Sequence, residues 1–389
     1  MATTCGTNDI LSALVAIRRD LHAYPELGFK EQRTAARIAD FLEQLGLEVH
    51  RNIGTTGVVG VLKVGNSSRS VGLRADMDAL PIQEMTGLDY ASRHPNVFHG
   101  CGHDGHVAML LGAAQELADK RDFDGTVNFI FQPAEEGLGG ARAMIEDGLF
   151  QRFPCDRVFG IHNWPGLPEG VVATRPGPIM AAADKFEILI EGKGGHAAQP
   201  ETASDVVAAA AQLALQLKTL VARCASPSAM AVLSVTRISA GHTHNVLPAS
   251  AIVGGTVRTF DADVQDRIEA ELRQAADGIA MMTGTRATID YDRYYPATIN
   301  DPEAANDVMT ALNGVCSAQI AQAPALTSED FAFMLQACKG AYLWLGQAPV
   351  SGAAAVPLHH PGYDFNDAIL PHGIAVNVAL ARHTLGTGQ

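Results

Sequence analysis

The stretch His99-Gly-Cys-Gly-His-Asp-Gly-His106 places one cysteine and three histidines within eight residues, on a backbone made flexible by glycine. Cys101 and His103 stand close enough on this irregular segment for both side chains to face the same point. A thiolate and an imidazole suit zinc, or manganese with added oxygen ligands. The helix that is predicted to follow favours the thiolate with its positive end. A buried thiol beside solvent-exposed histidines is the alternative, and His99 and His106 are interpreted as residues that only pack.

Further metal-binding side chains follow predicted strands. Glu135 and Glu136 come directly after one strand, and His162 ends another. Ligand sites in open α/β sheets lie at the carboxyl ends of strands. Because adjacent carboxylates cannot both face one point, one can bind metal while its neighbour handles a proton. The histidine pair at 359 and 360 offers a further candidate. Taken singly, each is more typical of a solvated turn or a hydrogen-bonded core residue.

Together these segments offer more donors than a closed four-coordinate zinc site uses. They are enough for two ions that share a bridging thiolate or water and keep open positions for a substrate. The set consists of Cys101, His103, one of the two glutamates 135 and 136, His162, and one histidine of the pair at 359 and 360.

Helices and strands alternate through the first part of the chain, which indicates an α/β domain with a mainly parallel central sheet. The apolar periodicity predicts helices at 8–22, 31–45, 104–120 and 139–147. Runs rich in Val, Leu, Ile and Phe predict strands at 58–64, 71–75, 126–131 and 158–161.

From residue 184 the order changes to β-α-β-β-α-β, the split pattern of a ferredoxin-like sheet. The predicted strands are 185–191, 230–238, 252–260 and 287–294, with helices at 204–223 and 262–283. After residue 296 the first rhythm returns, with helices at 302–314, 328–337 and from 367, and a strand at 341–345. We therefore predict a catalytic domain of residues 1–183 and 296–389, with a ferredoxin-like α+β domain, 184–295, inserted into it.

The composition excludes several classes of protein. With 389 residues, 47% of them hydrophobic, the chain is expected to be globular with two domains. A formal net charge of −14 without a basic run makes nucleic acid or an anionic membrane a poor partner. The six cysteines form no C-x-x-C pair, and the first residues lack a secretory pattern, so a cytoplasmic location is expected. Charges interrupt the apolar runs before they could span a membrane.

The motifs resemble the M20 family of metallopeptidases, in its amidohydrolase branch of hippurate hydrolases, N-acyl-amino-acid amidohydrolases and auxin-conjugate hydrolases. The resemblance runs almost end to end and is dense and ordered. Its segments are RRDLHAYPELGF (18–29), LRADMDALPI (73–82), HGCGHDGHVAMLLGAA (99–114), QPAEEGLGGARAMIEDG (132–148), GIHNWPG (160–166), GKGGHAAQP (192–200), NVLPASA (245–251), GTVRTF (255–260), SEDFAF (328–333) and LHHPGYDFND (358–367).

The resemblance implies a metal-dependent exopeptidase-like catalytic domain and an inserted lid or dimerisation domain. It also implies two divalent ions per subunit, zinc or manganese, with cobalt or nickel able to substitute. The ligands that the resemblance implies are Cys101, His103, Glu136, His162 and His359. Glu135 corresponds to the general base. Asp78 and Asp76 correspond to residues that orient the metal site, with a structural salt bridge as the alternative.

In the inserted segment the resemblance assigns residues to the substrate. His196 corresponds to a residue that reaches over the substrate carbonyl, while Asn245 and Arg258 correspond to groups that hold its carboxylate, in the same subunit or its partner. A plain surface arginine remains the alternative for Arg258. Most departures from the family pattern lie here, at Glu201, Val206 and Ala249, and a further one is Gly100. None is an implied metal ligand, so substrate preference and subunit contacts are the parts in doubt.

The implied reaction is hydrolysis of the amide bond of small N-acyl amino acids, hippurate-like or N-acetylated, which releases a carboxylic acid and a free amino acid. A homodimer or homotetramer is implied as well. A dipeptidase or carboxypeptidase of the same family is an alternative. From other classes, a thiol hydrolase that uses Cys101 as its nucleophile and a non-catalytic metal-binding protein stay open.

Overall fold

The computed structural model describes residues 4–226, 229–348 and 355–386. The helices are α1 Thr4–Ala23, α2 Gln32–Gln44, α3 His103–Lys120, α4 Gly140–Glu146, α5 Leu149–Arg152, α6 Val206–Leu217, α7 Val221–Cys224, α8 Ala262–Thr283, α9 Pro302–Ala311, α10 Phe331–Ala337 and α11 Leu370–Leu385. The strands are β1 Glu48–Ile53, β2 Gly57–Val64, β3 Ser70–Asp76, β4 Gly125–Gln132, β5 Arg157–Pro168, β6 Val172–Thr174, β7 Gly177–Met180, β8 Ala182–Glu191, β9 Gly195–His196, β10 Ala231–Ala240, β11 Val246–Leu247, β12 Ser250–Thr259, β13 Arg286–Tyr295, β14 Thr298–Asn300, β15 Ala318–Ile320 and β16 Gly340–Ala348. No helix in these ranges is both long and apolar enough to cross a bilayer.

The chain divides into two compact units, which are described separately. Unit 1 consists of Met1–Ile179, Thr298–Ala323 and Asp330–Gln389, and unit 2 of Met180–Ala297 and Pro324–Glu329. The predicted inserted segment, 184–295, falls within unit 2, which also includes the short piece from Pro324. That the inserted segment acts as a lid or a dimerisation domain stays a prediction.

Unit 1 is built on an eight-stranded sheet in the order β1-β2-β4-β3-β5-β16-β6-β15. Its centre is parallel, because β3 pairs in parallel with β4 and β5, and β16 pairs in parallel with β5. The antiparallel pairs lie towards the edges, between β1 and β2, β2 and β4, and β16 and β6. Every residue of β3 is buried, as expected for a central strand that is covered on both faces. The predicted α/β class with a mainly parallel sheet is confirmed.

Parallel pairing brings the carboxyl ends of the central strands to one edge of this sheet. Asp76 ends β3, where it is in register with Gln132 at the end of β4. His162 lies near the middle of β5, opposite Trp344 of β16 and two residues after Gly160, which pairs with Arg74 of β3. The side chains that follow β3 and β4 are therefore delivered to the same edge as His162, although their segments are far apart in the sequence.

Unit 2 contains a four-stranded antiparallel sheet in the order β10-β12-β8-β13. This is the order that a ferredoxin-like β-α-β-β-α-β pattern gives when the first and third strands are central. Phe186, Ile188 and Ile190 of β8 are buried in the core with α6 and α8, whereas Lys185 and Glu187, on the other face of the strand, are exposed. The alternation explains why both helices cover one face.

The predicted helix at 204–223 is two helices, α6 and α7. The residues between them form a turn, in which Thr219 donates its hydroxyl hydrogen bond to the carbonyl oxygen of Gln216 at 2.9 Å. A threonine side chain that bonds the backbone locally competes with the helical pattern. Leu220, at this break, is buried in the apolar core of unit 2.

A buried arginine ties the first helix of unit 1 to its last segments. Arg18 of α1 is fully buried and donates to Asp367 at 2.8 Å, Asp364 at 3.2 Å and Asp104 at 3.4 Å. Asp104 is the second residue of α3. The guanidinium therefore joins α1, the start of α3 and the segment before α11, and its charge is compensated, as a buried ion requires.

His22 extends this network. Its Nδ1 lies 2.9 Å from a carboxylate oxygen of Asp104, and its Nε2 lies 3.4 Å from Glu84. Burial opposes protonation of the ring, but the hydrogen bonds to Asp104 and Glu84 outweigh it and raise the pKa of His22 from 6.5 to about 9. His22 is therefore a buried cation at neutral pH.

Stability of unit 1 is expected to depend on pH through His22. Because its folded-state pKa lies above the ordinary value, the charged ring stabilises the fold fully below about pH 6.5, and this contribution is lost as pH rises through about 9. We expect His22→Gln to lower the free energy of unfolding by roughly 3 kcal/mol at about pH 6 and by much less above pH 9. Denaturant titrations across this range measure the difference, with the exposed His360→Gln as control. A difference that does not change with pH would contradict the assignment.

Candidate metal centre

The glycine-rich loop brings Cys101 and His103 to the start of α3. Gly102 precedes the helix with a positive φ of 89°, and a Cβ at this position would lie 2.5 Å from the side-chain oxygen of Asn163 and 2.7 Å from the hydroxyl oxygen of Tyr363. Only glycine fits this turn. Cys101 and His103 are both buried, and His103 is the first residue of the helix.

His103 presents one ring nitrogen to the centre and the other to Asp78. Its Nδ1 lies 2.9 Å from the backbone oxygen and 3.2 Å from a carboxylate oxygen of Asp78, so Nδ1–H is the donor and Nε2 keeps a lone pair. That Nε2 is buried and has no hydrogen-bond partner. It lies 3.9 Å from Oε1 of Glu136, which is also buried without a hydrogen-bond partner. Two unpartnered donor atoms that face each other suit a cation.

The electrostatic field at His103 favours positive charge. Burial lowers the pKa of this ring, but Asp76 and Asp78 outweigh burial and raise it to about 10. The same field acts in the opposite sense on Cys101: burial raises the pKa of the thiol, and Glu136 and Glu135 raise it further. A divalent cation would relieve both effects, because it would supply the missing positive charge and stabilise the thiolate.

The remaining predicted ligands converge on the same place. The Cys101 thiol lies 3.4 Å from Nε2 of His162, whose Nδ1–H donates to the carbonyl oxygen of Asn163 at 2.7 Å. Nε2 of His359 lies 3.4 Å from Oε1 of Glu136. The donor atoms of Cys101, Glu136 and His359 all lie within 4.8 Å of one another. His359 adopts a positive φ of 64°, which L-residues rarely adopt outside special sites.

Glu135 and Glu136 are presented by a tight turn after β4. Ala134 has a positive φ of 53°, and its carbonyl oxygen accepts a hydrogen bond from the backbone N–H of Gly140. The N–H of Glu136 donates to Asp78 at 3.0 Å. A carboxylate oxygen of Glu135 accepts from the N–H of Asp330 at 3.3 Å. Donor atoms of His103, Glu135 and Glu136 lie within 4.8 Å of one another, so both carboxylates border the centre.

A platform of buried polar side chains supports this turn. Arg74 donates to Gln132 at 2.7 Å, to Asp76 at 2.7 Å and to Asp330 at 3.1 Å. Gln132 also donates to Asp330 at 2.7 Å, and Asp330 accepts from the N–H of Ala141 at 2.8 Å. Sequence reasoning missed Arg74, Gln132 and Asp330. They lie in motifs that carry the resemblance, but no spacing pattern indicates that these three segments meet.

His106 is buried, as predicted, but it does more than pack. Its Nδ1 contacts Asp76, and its Nε2 lies 2.6 Å from the side-chain oxygen of Asn163. Burial opposes ionisation of Asp76, but His103, Arg74 and His106 outweigh it and hold its pKa well below the usual range. Asp76 therefore carries a negative charge 3.8 Å from Nε2 of His103.

Unit 2 holds the predicted substrate residues. His196 of β9 pairs with Val246 of β11, and the N–H of Ala197 donates to the carbonyl oxygen of Asn245, so His196 and Asn245 are neighbours. The N–H of Ala198 donates to Nδ1 of His196 at 3.0 Å. In the neutral ring this leaves the proton on Nε2, which can donate. Arg258 lies separately on β12, paired with Ala183 of β8. The roles of these three residues stay predictions.

The chain is similar to known proteins in both sequence and structure. The pattern that defines peptidase family M20/M25/M40 matches residues 72–383. The chain is 42% identical to the hippurate hydrolase of Campylobacter jejuni, over 96% of this chain and 97% of that protein. It is 38% identical to thermostable carboxypeptidase 1 of Saccharolobus solfataricus, over 95% and 94%. A crystal structure from Bacillus subtilis, described as a dinuclear metal binding peptidase from the M20 family, superimposes with a TM-score of 0.85 at 35% identity, covering 98% of this chain and 100% of that one.

Removal of the Asp78 carboxylate is expected to weaken metal binding. Asp78→Ala frees both the ring of His103 and the backbone of Glu136, so we expect the affinity for zinc to fall about 10- to 100-fold. Competition with a chromophoric chelator measures the dissociation constant. Asp124→Ala is the matched control, because Asp124 also accepts two backbone N–H groups, from Asn66 and Ser67. Unchanged affinity in Asp78→Ala would show that the carboxylate does not organise the ligands.

Proposed function

The chain belongs to peptidase family M20/M25/M40, and from this premise we propose that it is a metal-dependent hydrolase of small N-acyl amino acids. It cleaves the amide bond and releases a carboxylic acid and a free amino acid. The observation that carries the proposal is the convergence of thiol, imidazole and carboxylate donors around two unpartnered buried atoms, with Glu135 at the border of the same centre.

The donor set fits divalent ions that accept sulfur, nitrogen and oxygen ligands. We assign two ions, zinc or manganese with cobalt or nickel as substitutes, and the dinuclear description of the Bacillus subtilis relative supports the number. When bound, they lower the pKa of a coordinated water and polarise the substrate carbonyl. The residues that would hold them are Cys101, His103, Glu136, His162 and His359.

Glu135 acts as the general base in this proposal. Its side chain is buried, accepts from the N–H of Asp330 and borders the centre, where a carboxylate can take a proton from water and return it to the leaving amine. Asp78 orients the site, because its carboxylate bonds both the ring of His103 and the backbone of Glu136. It keeps the lone pair of His103 Nε2 directed to the centre.

The substrate is recognised through its carbonyl and its carboxylate. The Nε2–H of His196 would donate to the oxygen that develops negative charge. The side-chain oxygen of Asn245 accepts from Thr243 at 2.6 Å, which leaves its NH₂ group to donate to a carboxylate. The guanidinium of Arg258 would form the second contact with that carboxylate, since its planar fork matches two oxygens.

Two other readings of the site are weaker. A thiol hydrolase needs a thiol whose pKa is lowered, whereas burial, Glu136 and Glu135 raise the pKa of Cys101. A purely metal-binding protein would not need Glu135 beside the ligands. A carboxypeptidase or dipeptidase of the same family remains the nearest alternative, because the Saccharolobus solfataricus relative carries the name carboxypeptidase. All of these substrates share a free carboxylate next to the scissile amide.

We also propose a cytoplasmic homodimer, with a homotetramer as the alternative. β10 lies at one edge of the four-stranded sheet of unit 2, where its backbone can pair with another strand. Ile238 on this strand is 55% exposed, and Leu215 on α6 is 69% exposed. Apolar side chains next to an edge strand support self-association by unit 2.

Activity is expected to require both metal and Glu135. Purified protein should release amine from hippurate-like and N-acetylated amino acids faster than from dipeptides, lose this activity after chelation and regain it with zinc, manganese or cobalt. We expect Glu135→Gln to lower kcat about 10²- to 10⁴-fold with metal content unchanged. Glu116→Gln, on the surface of α3, is the control. Activity that is indifferent to chelation, or that survives in Glu135→Gln, would refute the mechanism.

The subunit contact is tested by placing a charge on it. In analytical ultracentrifugation, the wild-type protein should have about twice the mass of one chain. Leu215→Lys should raise the dimer dissociation constant at least about tenfold, because it would bury a charge in the subunit contact. Met281→Lys is the matched control on α8, where Met281 is 86% exposed. Equal dissociation of both variants would exclude α6 from the contact.

A further inference from the structure

Glu31 is a buried carboxylate that reaches the turn before Glu135. Its side chain is fully buried and accepts hydrogen bonds from the N–H of Ala134 at 2.9 Å and from the hydroxyl group of Thr56 at 2.7 Å. We propose that Glu31 is a positioning residue that holds the Ala134 turn and thereby aims Glu135 at the metal centre. This inference rests on the proposed function, since it assigns Glu31 to the reaction of that site.

The position of Glu31 in the sequence does not by itself explain its contacts. Glu31 stands at the N-cap of α2, where short Asp, Asn, Ser or Thr side chains commonly bond the first N–H groups of the helix, and its own side chain makes no such bond. Glu26 performs that task, with carboxylate oxygens 3.1 Å from the N–H of Arg33 and 2.8 Å from the N–H of Thr34. The carboxylate of Glu31 is therefore available to a segment 103 residues away.

The turn at Ala134, which Glu31 holds, has an unfavourable backbone conformation. Ala134 adopts φ 53°, a left-handed conformation that is unfavourable for a residue with a Cβ. Such a conformation persists when surrounding contacts determine it. The bond from its N–H to Glu31 and the bond from Gly140 to its carbonyl oxygen fix both peptide groups of Ala134.

Glu135 lies between two carboxylate clamps. Glu31 accepts the N–H of Ala134 on one side, and Asp78 accepts the N–H of Glu136 on the other. The turn can therefore neither rotate nor slide without breaking a buried hydrogen bond, which is costly because the acceptor would be left unsatisfied. Asp78 also binds His103, so the clamp that Glu31 completes fixes Glu135 relative to a proposed ligand.

The burial of Glu31 argues against a role in packing alone. Burial raises the pKa of this carboxyl group, and the bonds from Thr56 and Ala134 only partly offset the effect. An apolar side chain would fill the same space without desolvating a carboxyl group. Because no part of Glu31 is exposed, it cannot touch a substrate, and its influence on the reaction must pass through the turn.

Three variants separate positioning from general stability. Glu31→Ala removes both bonds, whereas Glu31→Gln can keep them, since its amide oxygen accepts from Ala134 and its NH₂ group donates to Thr56. Thr56→Val removes only the bond that does not reach the turn. We expect Glu31→Ala to lower kcat about 10- to 100-fold with KM within about twofold, and both other variants to stay within about threefold of wild type. The melting temperature should fall in Thr56→Val and further in Glu31→Ala, so kcat is compared at a temperature well below both transitions.

A second measurement tests the route through Ala134. Glycine adopts positive φ without penalty, so Ala134→Gly lessens the need for a clamp. We expect Glu31→Ala to cost less kcat in the Ala134→Gly background than in the wild type, so that the double variant is more active than the product of the single effects. Additive effects, or a greater loss, would overturn the proposal.

The outcomes also distinguish this proposal from the proposed function. Wild-type protein that binds cobalt but hydrolyses none of the N-acyl substrates refutes the function itself. An active wild type with full kcat in Glu31→Ala refutes only the positioning role. Cobalt titration of each variant gives a readout without turnover, and the stoichiometry should be equal in wild type and Glu31→Ala. Loss of bound cobalt in Glu31→Ala would assign Glu31 to ligand assembly and overturn its role as positioner of Glu135.

Discussion

The carboxylate of Asp78 accepts a hydrogen bond from the ring of His103 and another from the backbone of Glu136, 58 residues further along the chain. The geometry of the centre depends on this one group, because it fixes a nitrogen donor and an oxygen donor against the same anchor. A ligand that could rotate would lose affinity, so the rigidity of such partners matters as much as the ligands themselves. The sheet meets this requirement by delivering Asp78 just beyond the carboxyl end of β3, beside the end of β4.

Around this anchor, acidic and basic groups are buried together, and each ion is compensated. Arg74 neutralises Asp76 and Asp330 beneath the turn, while Arg18 and His22 neutralise Asp104 at the start of α3. The centre itself is different, since Nε2 of His103 and Oε1 of Glu136 have no hydrogen-bond partner. Two such atoms that face each other 3.9 Å apart mark a place where a cation would complete the polar network.

The sequence indicated the side chains that could bind metal, but not the buried residues that position them. The donors could be predicted because a thiol and an imidazole stand close together in Cys101 and His103, and because the adjacent carboxylates of Glu135 and Glu136 directly follow a recognisable strand. Glu31 and Asp330 could not, because each acts through a contact with a segment at least 103 residues away, which no local periodicity records. The single helix predicted over 204–223 was wrong for a different, local reason: the hydroxyl group of Thr219 bonds the carbonyl oxygen of Gln216 where the helix breaks.

The position of β16 has a consequence for how the protein is made. This strand, Gly340–Ala348, lies inside the sheet of unit 1, between β5 and β6. Arg18 likewise finds its partner Asp367 only 349 residues later. On the ribosome, the contiguous core of unit 2 can therefore form before the sheet of unit 1 closes, although residues 4–179 of unit 1 are synthesised before unit 2. Until β16 has been synthesised, β5 has an unpaired edge, the kind of surface that chaperones protect.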